Sequence, residues 1–253
     1  SISSRFAGST KVPPPEATVR WRWSKDWPYS MTVTRELELK PRLVIKRAAV
    51  KPALAGNLDD WKDATTFTLD NVYYIDPAVP GKKLLWGGPA DLSGQIFLKW
   101  DESALYVAVL ARDDEHIQNT SEMMMWSQDV LMYALQLAEP GKGEGRYEFG
   151  FGAYADHDAI ARYWNSAKDA TGPDIQFKSR VDKEKGICLY ETAVPWNRLA
   201  PFVPAAGREF RFTFVLGEAD SQLGKGFNYL AWTPGINYGK NPADFAILVL
   251  GEK

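Results

Sequence analysis

Cysteine is nearly absent. Cys188 stands alone in 253 residues, which excludes an internal disulfide and a zinc site built on thiolates. Histidine is almost as scarce: His116 and His157 are the whole supply and leave little for histidine-based catalysis or metal ligation. An excess of charge is missing too. Thirty Lys and Arg against 32 Asp and Glu give a net charge of −2. No basic patch interleaved with aromatics appears, which argues against a nucleic-acid partner because phosphate binding needs a concentrated basic field. The longest apolar runs, such as AILVL at 246–250, fall far short of the roughly 20 residues a bilayer span requires, so no membrane partner is expected. There is no long segment of 3.6-residue periodicity and no internal repeat. A nucleophile elbow, a phosphate-binding glycine loop and a zinc signature are all lacking. GKGEG at 141–145 reads as an exposed turn between strands, without the strand-to-helix context of a phosphate cradle. Together these absences favour a binding module over an enzyme.

What the chain has in abundance is aromatic residues, 13% of the total with ten Trp. Core packing uses some of these, and Trp at this density also serves binding surfaces. The first segment is irregular, with PPP at 13–15 as a stiff extended spacer. MTVTRELELK (31–40) alternates with a period close to two, and RLVIKRA (42–48) reads as a further extended piece. Residues 1–45 are therefore expected to be an N-terminal extension or the end of a preceding domain, and 46–253 the main domain. The chain opens at Ser1 without a recognisable signal peptide, as a mature form or a piece of something longer would.

From residue 46 onward short strands alternate with turn signals. Strands are expected near 65–70, 94–101, 104–112, 128–138, 145–154, 174–182, 186–193, 208–217 and 244–250. WDES (100–103) breaks two apolar runs and makes 94–112 a hairpin. On its second arm Leu105, Val107, Val109 and Ala111 face one way while Tyr106, Ala108 and Leu110 face the other, so both faces should be buried. DKEKGI (182–187) reads as a charged tight turn, and VPWNRLAP (194–201) as a short helical turn stopped by Pro201. The class expected is all-β, a two-sheet antiparallel β-sandwich of jelly-roll or immunoglobulin-like type behind an extended N-terminal segment.

Several stretches, taken in order, resemble the family 9 carbohydrate-binding modules. ALAGNLDDW (53–61) looks like that family's lead-in to the first strand. ADLSGQIFLKWDESALYVAVLARDDEH (90–116) resembles its hairpin, with an aspartate turn, Leu-Tyr-Val and a closing acid pair. MMMWSQDVLMYALQL (123–137) looks like the segment that places a Trp before an aspartate-led strand. YETAVPWNRL (190–199) resembles the Pro-Trp corner; FRFTFVLGEAD (210–220), YLAWTP (229–234) and DFAILVL (244–250) look like the closing strands. The resemblance spans roughly 46–253. Two positions depart from it: Met132 stands where the family usually carries a sugar-contacting glutamate, and Ala55 replaces an acid of the lead-in turn.

The resemblance implies a non-catalytic module that binds a polysaccharide or oligosaccharide, with Trp126 and Trp232 as the pair that sandwiches a sugar. Sugar rings present apolar C–H faces to an indole, and their hydroxyls need polar partners at the rim. Gln128, Asn228, Asn237 and Tyr238 are the candidates for those directional hydrogen bonds. The plainer alternative for Trp126 is packing under a loop; Trp61 and Trp100, inside strand or lead-in motifs, are expected in the core. The family often carries structural calcium, and Asp113, Asp114 and Asp129 are the candidate ligands, since calcium favours six to eight oxygens. Asp156, His157 and Asp158 form a second acidic knot that equally well reads as a polar turn. A glycosidase would need two carboxylates flanking one bond; Glu148 and Glu191 lie on expected strands, without a sign that they converge. The alternatives kept open are a structural or interdomain sandwich that has lost sugar binding, which Met132 favours, and a haem-binding electron-transfer sandwich drawing on His116 and the methionines at 123–125. The expected setting is extracellular or periplasmic, as a monomer attached to a catalytic domain.

Overall fold

The computed structural model describes residues 16–20, 32–36, 41–71, 86–137, 145–164, 174–220, 228–236 and 240–252. The prolines at 13–15, most of the turn at 141–144, and Asn237 and Tyr238 lie outside the described residues. The chain divides into two units, Ser1–Lys40 and Pro41–Lys253. In the first, β1 (Glu16–Arg20) and β2 (Thr32–Glu36) pair antiparallel with Val19 opposite Val33.

The second unit contains β3 (Arg42–Arg47), β4 (Thr65–Leu69), β5 (Leu92–Trp100), β6 (Ala104–Asp113), β7 (Val130–Gln136), β8 (Arg146–Ala153), β9 (Asp158–Trp164), β10 (Gln176–Asp182), β11 (Ile187–Pro195), β12 (Glu209–Glu218), β13 (Asn228–Ala231) and β14 (Ala246–Leu250). One sheet runs β10-β11-β6-β5, with β4 also on β5; the other runs β14-β12-β7-β8-β9, with β13 on β12. The all-β class is as expected. The arrangement is not purely antiparallel, however. β3 runs parallel to β14 (Ile45 beside Leu250) and parallel to the end of β5 (Arg47 beside Trp100), so it joins the two sheets into one continuous 12-stranded sheet. Strand 42–47 therefore belongs wholly with the larger unit, although the boundary read at residue 45 cuts through it. At the opposite margin, β9 approaches β10: the Asp158 carboxylate accepts from the Ser179 backbone N–H at 3.0 Å and from its hydroxyl. The sandwich is nearly a barrel.

Strand periodicity explains the layers. Ile96, Leu98, Leu105, Val107 and Val109 point inward from one sheet and Leu131, Tyr133, Phe149, Phe212 and Phe214 from the other, all in one buried cluster. The alternate residues are covered as well. Phe97, Tyr106 and Ala108 lie beneath Trp61 of the lead-in, while Val130, Met132, Ala134 and Val215 lie beneath Met125, Tyr229 and Phe245. Burial on both faces accounts for the near-continuous apolar runs of β6 and β7. Trp61 and Trp100 are core residues, as expected.

The hairpin turn is fixed by one side chain. Asp101 Oδ1 accepts from the N–H groups of Ser103 (2.7 Å) and Ala104 (3.0 Å), and Oδ2 from the Tyr106 hydroxyl at 2.8 Å. The Pro-Trp corner is a 3-10 turn at Trp196–Leu199, where the Trp196 indole donates to the Asp101 carbonyl at 2.7 Å.

Candidate functional site

Antiparallel pairing brings the start of β5 beside the end of β6 and the start of β7 beside the end of β12. One end of the sandwich thereby collects residues far apart in sequence. The β6–β7 connection crosses this end and carries a 3-10 turn, Glu122–Ser127. Beside it opens a cleft of about 930 Å³, lined among others by Asp113, His116, Tyr154, His157, Lys178 and Asp182. On one wall the Tyr154 and His157 rings stack, 4.6 Å between centroids and 10° between planes. His157 is exposed; its Nδ1 lies 2.7 Å from Asp156 Oδ1, and this bond raises the imidazole above its ordinary range. Asp158, by contrast, is spent on Ser179, so the Asp156–His157–Asp158 knot does not converge on one point.

Trp126 closes the 3-10 turn and is half-buried, resting on the cluster that covers the outward face of β7 and β12. Tyr154 rests on the same cluster. Exposed Met123 and Met124 flank Trp126 on the same turn. Trp232 is half-buried elsewhere: its ring lies 4.6 Å from Phe67 and 6.1 Å from Phe214, against the inner cluster. The two indoles thus pack against opposite faces of one sheet. Gln128 is occupied within its loop, its Oε1 accepting from the N–H groups of Asn119 (2.7 Å) and Thr120 (3.1 Å). Asn228 is described only as a backbone position of β13. Met132, at the family's glutamate position, is buried among apolar neighbours.

Of the three acids expected to share a calcium ion, Asp113 and Asp129 are brought together and Asp114 is grouped apart. Neighbours at a strand end point to opposite sides, and Asp113 and Asp114 diverge accordingly. Asp113 joins His116 and Asp129, with the three ligand atoms within 4.8 Å of one another; Asp114 joins Asp91 and Asp220 in a second group of the same tightness. In the first group burial raises Asp129 well above the usual carboxylate range, and the charge of Asp113 adds to it. In the second, burial raises Asp114, helped by the charges of Asp91 and Asp113. Three carboxylates without nitrogen suit an oxygen-preferring cation, so the calcium implied by the resemblance fits Asp91, Asp114 and Asp220 better than the trio read from the sequence. The missed members, Asp91, Asp220 and His116, left one usable signal: each lies just beyond the same end of a strand pair.

Glu148 and Glu191 do not form a hydrolytic pair. Glu148 lies on the outward side of β8, bonded to Arg146 Nη2 at 2.6 Å and to Lys240 Nζ at 2.7 Å. Glu191 lies on the outward side of the other sheet, accepting from the Trp61 indole at 2.8 Å and the Gly56 N–H at 2.6 Å. Two sheet layers, packed about 10 Å apart, separate them. A retaining or inverting pair must sit within about 10 Å across a single bond. For the haem alternative, both ring nitrogens of His116 face polar groups of the scaffold: its Nε2 lies 2.9 Å from the Ala153 carbonyl and its Nδ1 faces Asp113 and Asp129.

The unit is thus a near-closed β-sandwich with a cleft at its strand ends that is lined by polar and apolar groups alike. The family model described as carbohydrate family 9 binding domain-like matches residues 61–253, and the chain belongs to that family. Solved structures similar to it include a family 9 carbohydrate-binding module from Caldicellulosiruptor kristjanssonii in complex with cellotriose. It is 17% identical, with a TM-score of 0.59 over 84% of this chain and 94% of that one. The same kind of module from that organism in complex with glucose gives 17% identity and a TM-score of 0.61 over 84% and 96%. At this identity the likeness shows the fold. A search of curated proteins returned no match. No catalytic family is indicated, and among the described residues no helix is long and apolar enough to cross a membrane.

Proposed function

We propose that the chain binds a neutral glycan non-catalytically at the end of the sandwich, stacking sugar on Trp126 and on the Tyr154–His157 wall. The observation that carries this reading is the half-buried Trp126, held on the cluster that covers the outward face of β7 and β12, on which Tyr154 also rests, with exposed Met123 and Met124 earlier on the same turn. Apolar sugar faces would lie on these rings, and hydroxyls would meet Lys178 and Asn119 at the cleft. Acids outnumber lysines along the cleft, which disfavours uronic or sulfated sugars. Trp232, packed on the other side of the sheet, serves the core in this reading. Calcium at Asp91, Asp114 and Asp220 would pin the neighbouring loops. The module would act outside the cytoplasm beside a glycan-degrading domain.

The test is a glycan screen of the purified chain that includes cello-oligosaccharides and glucose, followed by titration calorimetry. Trp126→Ala and Tyr154→Ala should each weaken binding at least tenfold with little change in Tm, whereas Trp232→Ala should lower Tm first. Unchanged affinity in both the Trp126 and the Tyr154 variant would overturn the stacking assignment. If the folded chain binds no glycan at all, the scaffold alternative stands instead. Burial of Met132 where a sugar-contacting acid was expected favours that second reading.

A further inference from the structure

We infer that Asp113, His116 and Asp129 form a mixed nitrogen–oxygen site for a divalent transition-metal ion such as Zn²⁺, which fastens the loop presenting Trp126.

The argument begins with the imidazole. Its Nε2 lies 2.9 Å from the Ala153 carbonyl oxygen, which can only accept, so Nε2 carries the proton. Among the described residues Nδ1 has no hydrogen-bond partner, although the side chain is only 8% exposed. It faces Asp129 Oδ2 at 3.5 Å and Asp113 Oδ2 at 3.6 Å, on side chains 1% and 4% exposed. Those separations are too long for hydrogen bonds, even charged ones. They match the spacing of ligands around a shared ion: zinc bonds of about 2.0–2.2 Å place neighbouring ligand atoms of a tetrahedron roughly 3.3–3.6 Å apart.

The surroundings complete the case. A metal-binding imidazole characteristically donates its other N–H to a backbone carbonyl, as His116 does. Both carboxylates are oriented by backbone N–H groups. Asp129 Oδ1 accepts from Ala219 at 2.7 Å and its Oδ2 from Ile117, while Asp113 Oδ1 accepts from Glu115 at 3.0 Å. Two buried carboxylates this close repel each other unless a cation or a proton lies between them. An imidazole ligand selects zinc-like ions over calcium, which is satisfied by oxygens. Asp113 and His116 also line the cleft, leaving a direction open for a water ligand. Because Asp113 ends β6 and Asp129 immediately precedes β7, an ion here ties the two ends of the loop that holds Trp126.

The site shares a wall with the proposed sugar cleft and is tested without sugar, so that its failure and the failure of the sugar reading are distinguishable. The full chain is stripped with chelator and titrated with Zn²⁺, and Co²⁺ serves as a spectroscopic probe. One Zn²⁺ per chain should bind and raise Tm, millimolar Ca²⁺ should fail to displace it, and Co²⁺ should give visible bands of nitrogen–oxygen ligation. His116→Ala should weaken Zn²⁺ binding at least tenfold, while Asp59→Asn, at an exposed acid paired with Lys62, should leave it unchanged. Absence of stoichiometric Zn²⁺, displacement by Ca²⁺, or unchanged affinity in His116→Ala would each overturn the proposal. Should His116→Ala fail to fold, the calcium competition and the Co²⁺ spectrum of the unaltered chain decide the question by themselves.

Discussion

At the scale of single residues, the side chains that matter are those whose charge is set by one neighbour. His157 is raised by its bond to Asp156, with the charge of Glu122 adding to it. It should therefore keep its proton above the ordinary histidine range near 6.5, and any order it lends the cleft wall should fade as pH rises through its own pKa. An NMR titration should place His157 above a free histidine, and Asp156→Asn should move it back down. Asp101 shifts in the opposite sense. Burial pushes its carboxyl up, but hydrogen bonds from Ser103, Tyr106 and Ala104 outweigh that and hold it below the usual value. A depressed acid contributes stability above its unfolded pKa, near 4, and loses it as pH falls through the folded value. Asp101→Ala should cost on the order of 1–3 kcal/mol at neutral pH, since several donors lose their acceptor. The deficit should shrink in denaturant titrations below pH 4. Residue identity was readable here where local spacing decided it: WDES announced a hairpin turn, though not the Asp101 cap that fixes it, and Trp61 and Trp100 announced themselves as core. His116 was not, because its role depends on Asp129 and the Ala153 carbonyl, which only the fold supplies.

At the scale of elements, strands with alternating apolar residues were legible to within a few positions. Arg42–Arg47, Leu92–Trp100, Ala104–Asp113 and Ala246–Leu250 all lie where their patterns placed them. One strand of the larger unit escaped: DAIARYW follows a polar turn so closely that the turn absorbed it. The short strand NYLA was reached only through the resemblance of YLAWTP to a closing strand. Strand direction also escaped, because β3 is recognisable as a strand while nothing in RLVIKR says that it runs parallel to both partners. That strand supplies a clear test. Ile45 is fully buried in the cluster between the sheets. Ile45→Ala should cost about 2–5 kcal/mol, measured by chemical denaturation. A loss below 1 kcal/mol would mean that β3 adds little to the join.

At the scale of the whole molecule, the family and the sandwich were legible because an ordered set of motifs survives sequence change. The candidate site was legible only in part. Trp126 is half-buried on the cluster that covers the outward face of β7 and β12. Trp232 was assigned by motif order, and packing turned it to the inner face. Asp113 and Asp129 were read as partners and stand together, whereas the convergence of Asp91, Asp114 and Asp220 was not legible, since it depends on the pairing of β5 with β6 and on the packing of the other sheet against them. The strand that joins the sheets carries one more consequence. Ile45 of β3 lies beside Leu250 of β14, roughly two hundred residues later, and the Trp100 indole donates to the Gly251 carbonyl on the same seam. During synthesis the first strand of this unit must wait for the last. The hairpin of β5 and β6 can form early as a local unit, but an exposed parallel edge at β3 persists until the end of the unit emerges. Closure of this seam is thus the most non-local step in the unit's assembly, and the one most open to mispairing with a neighbouring chain.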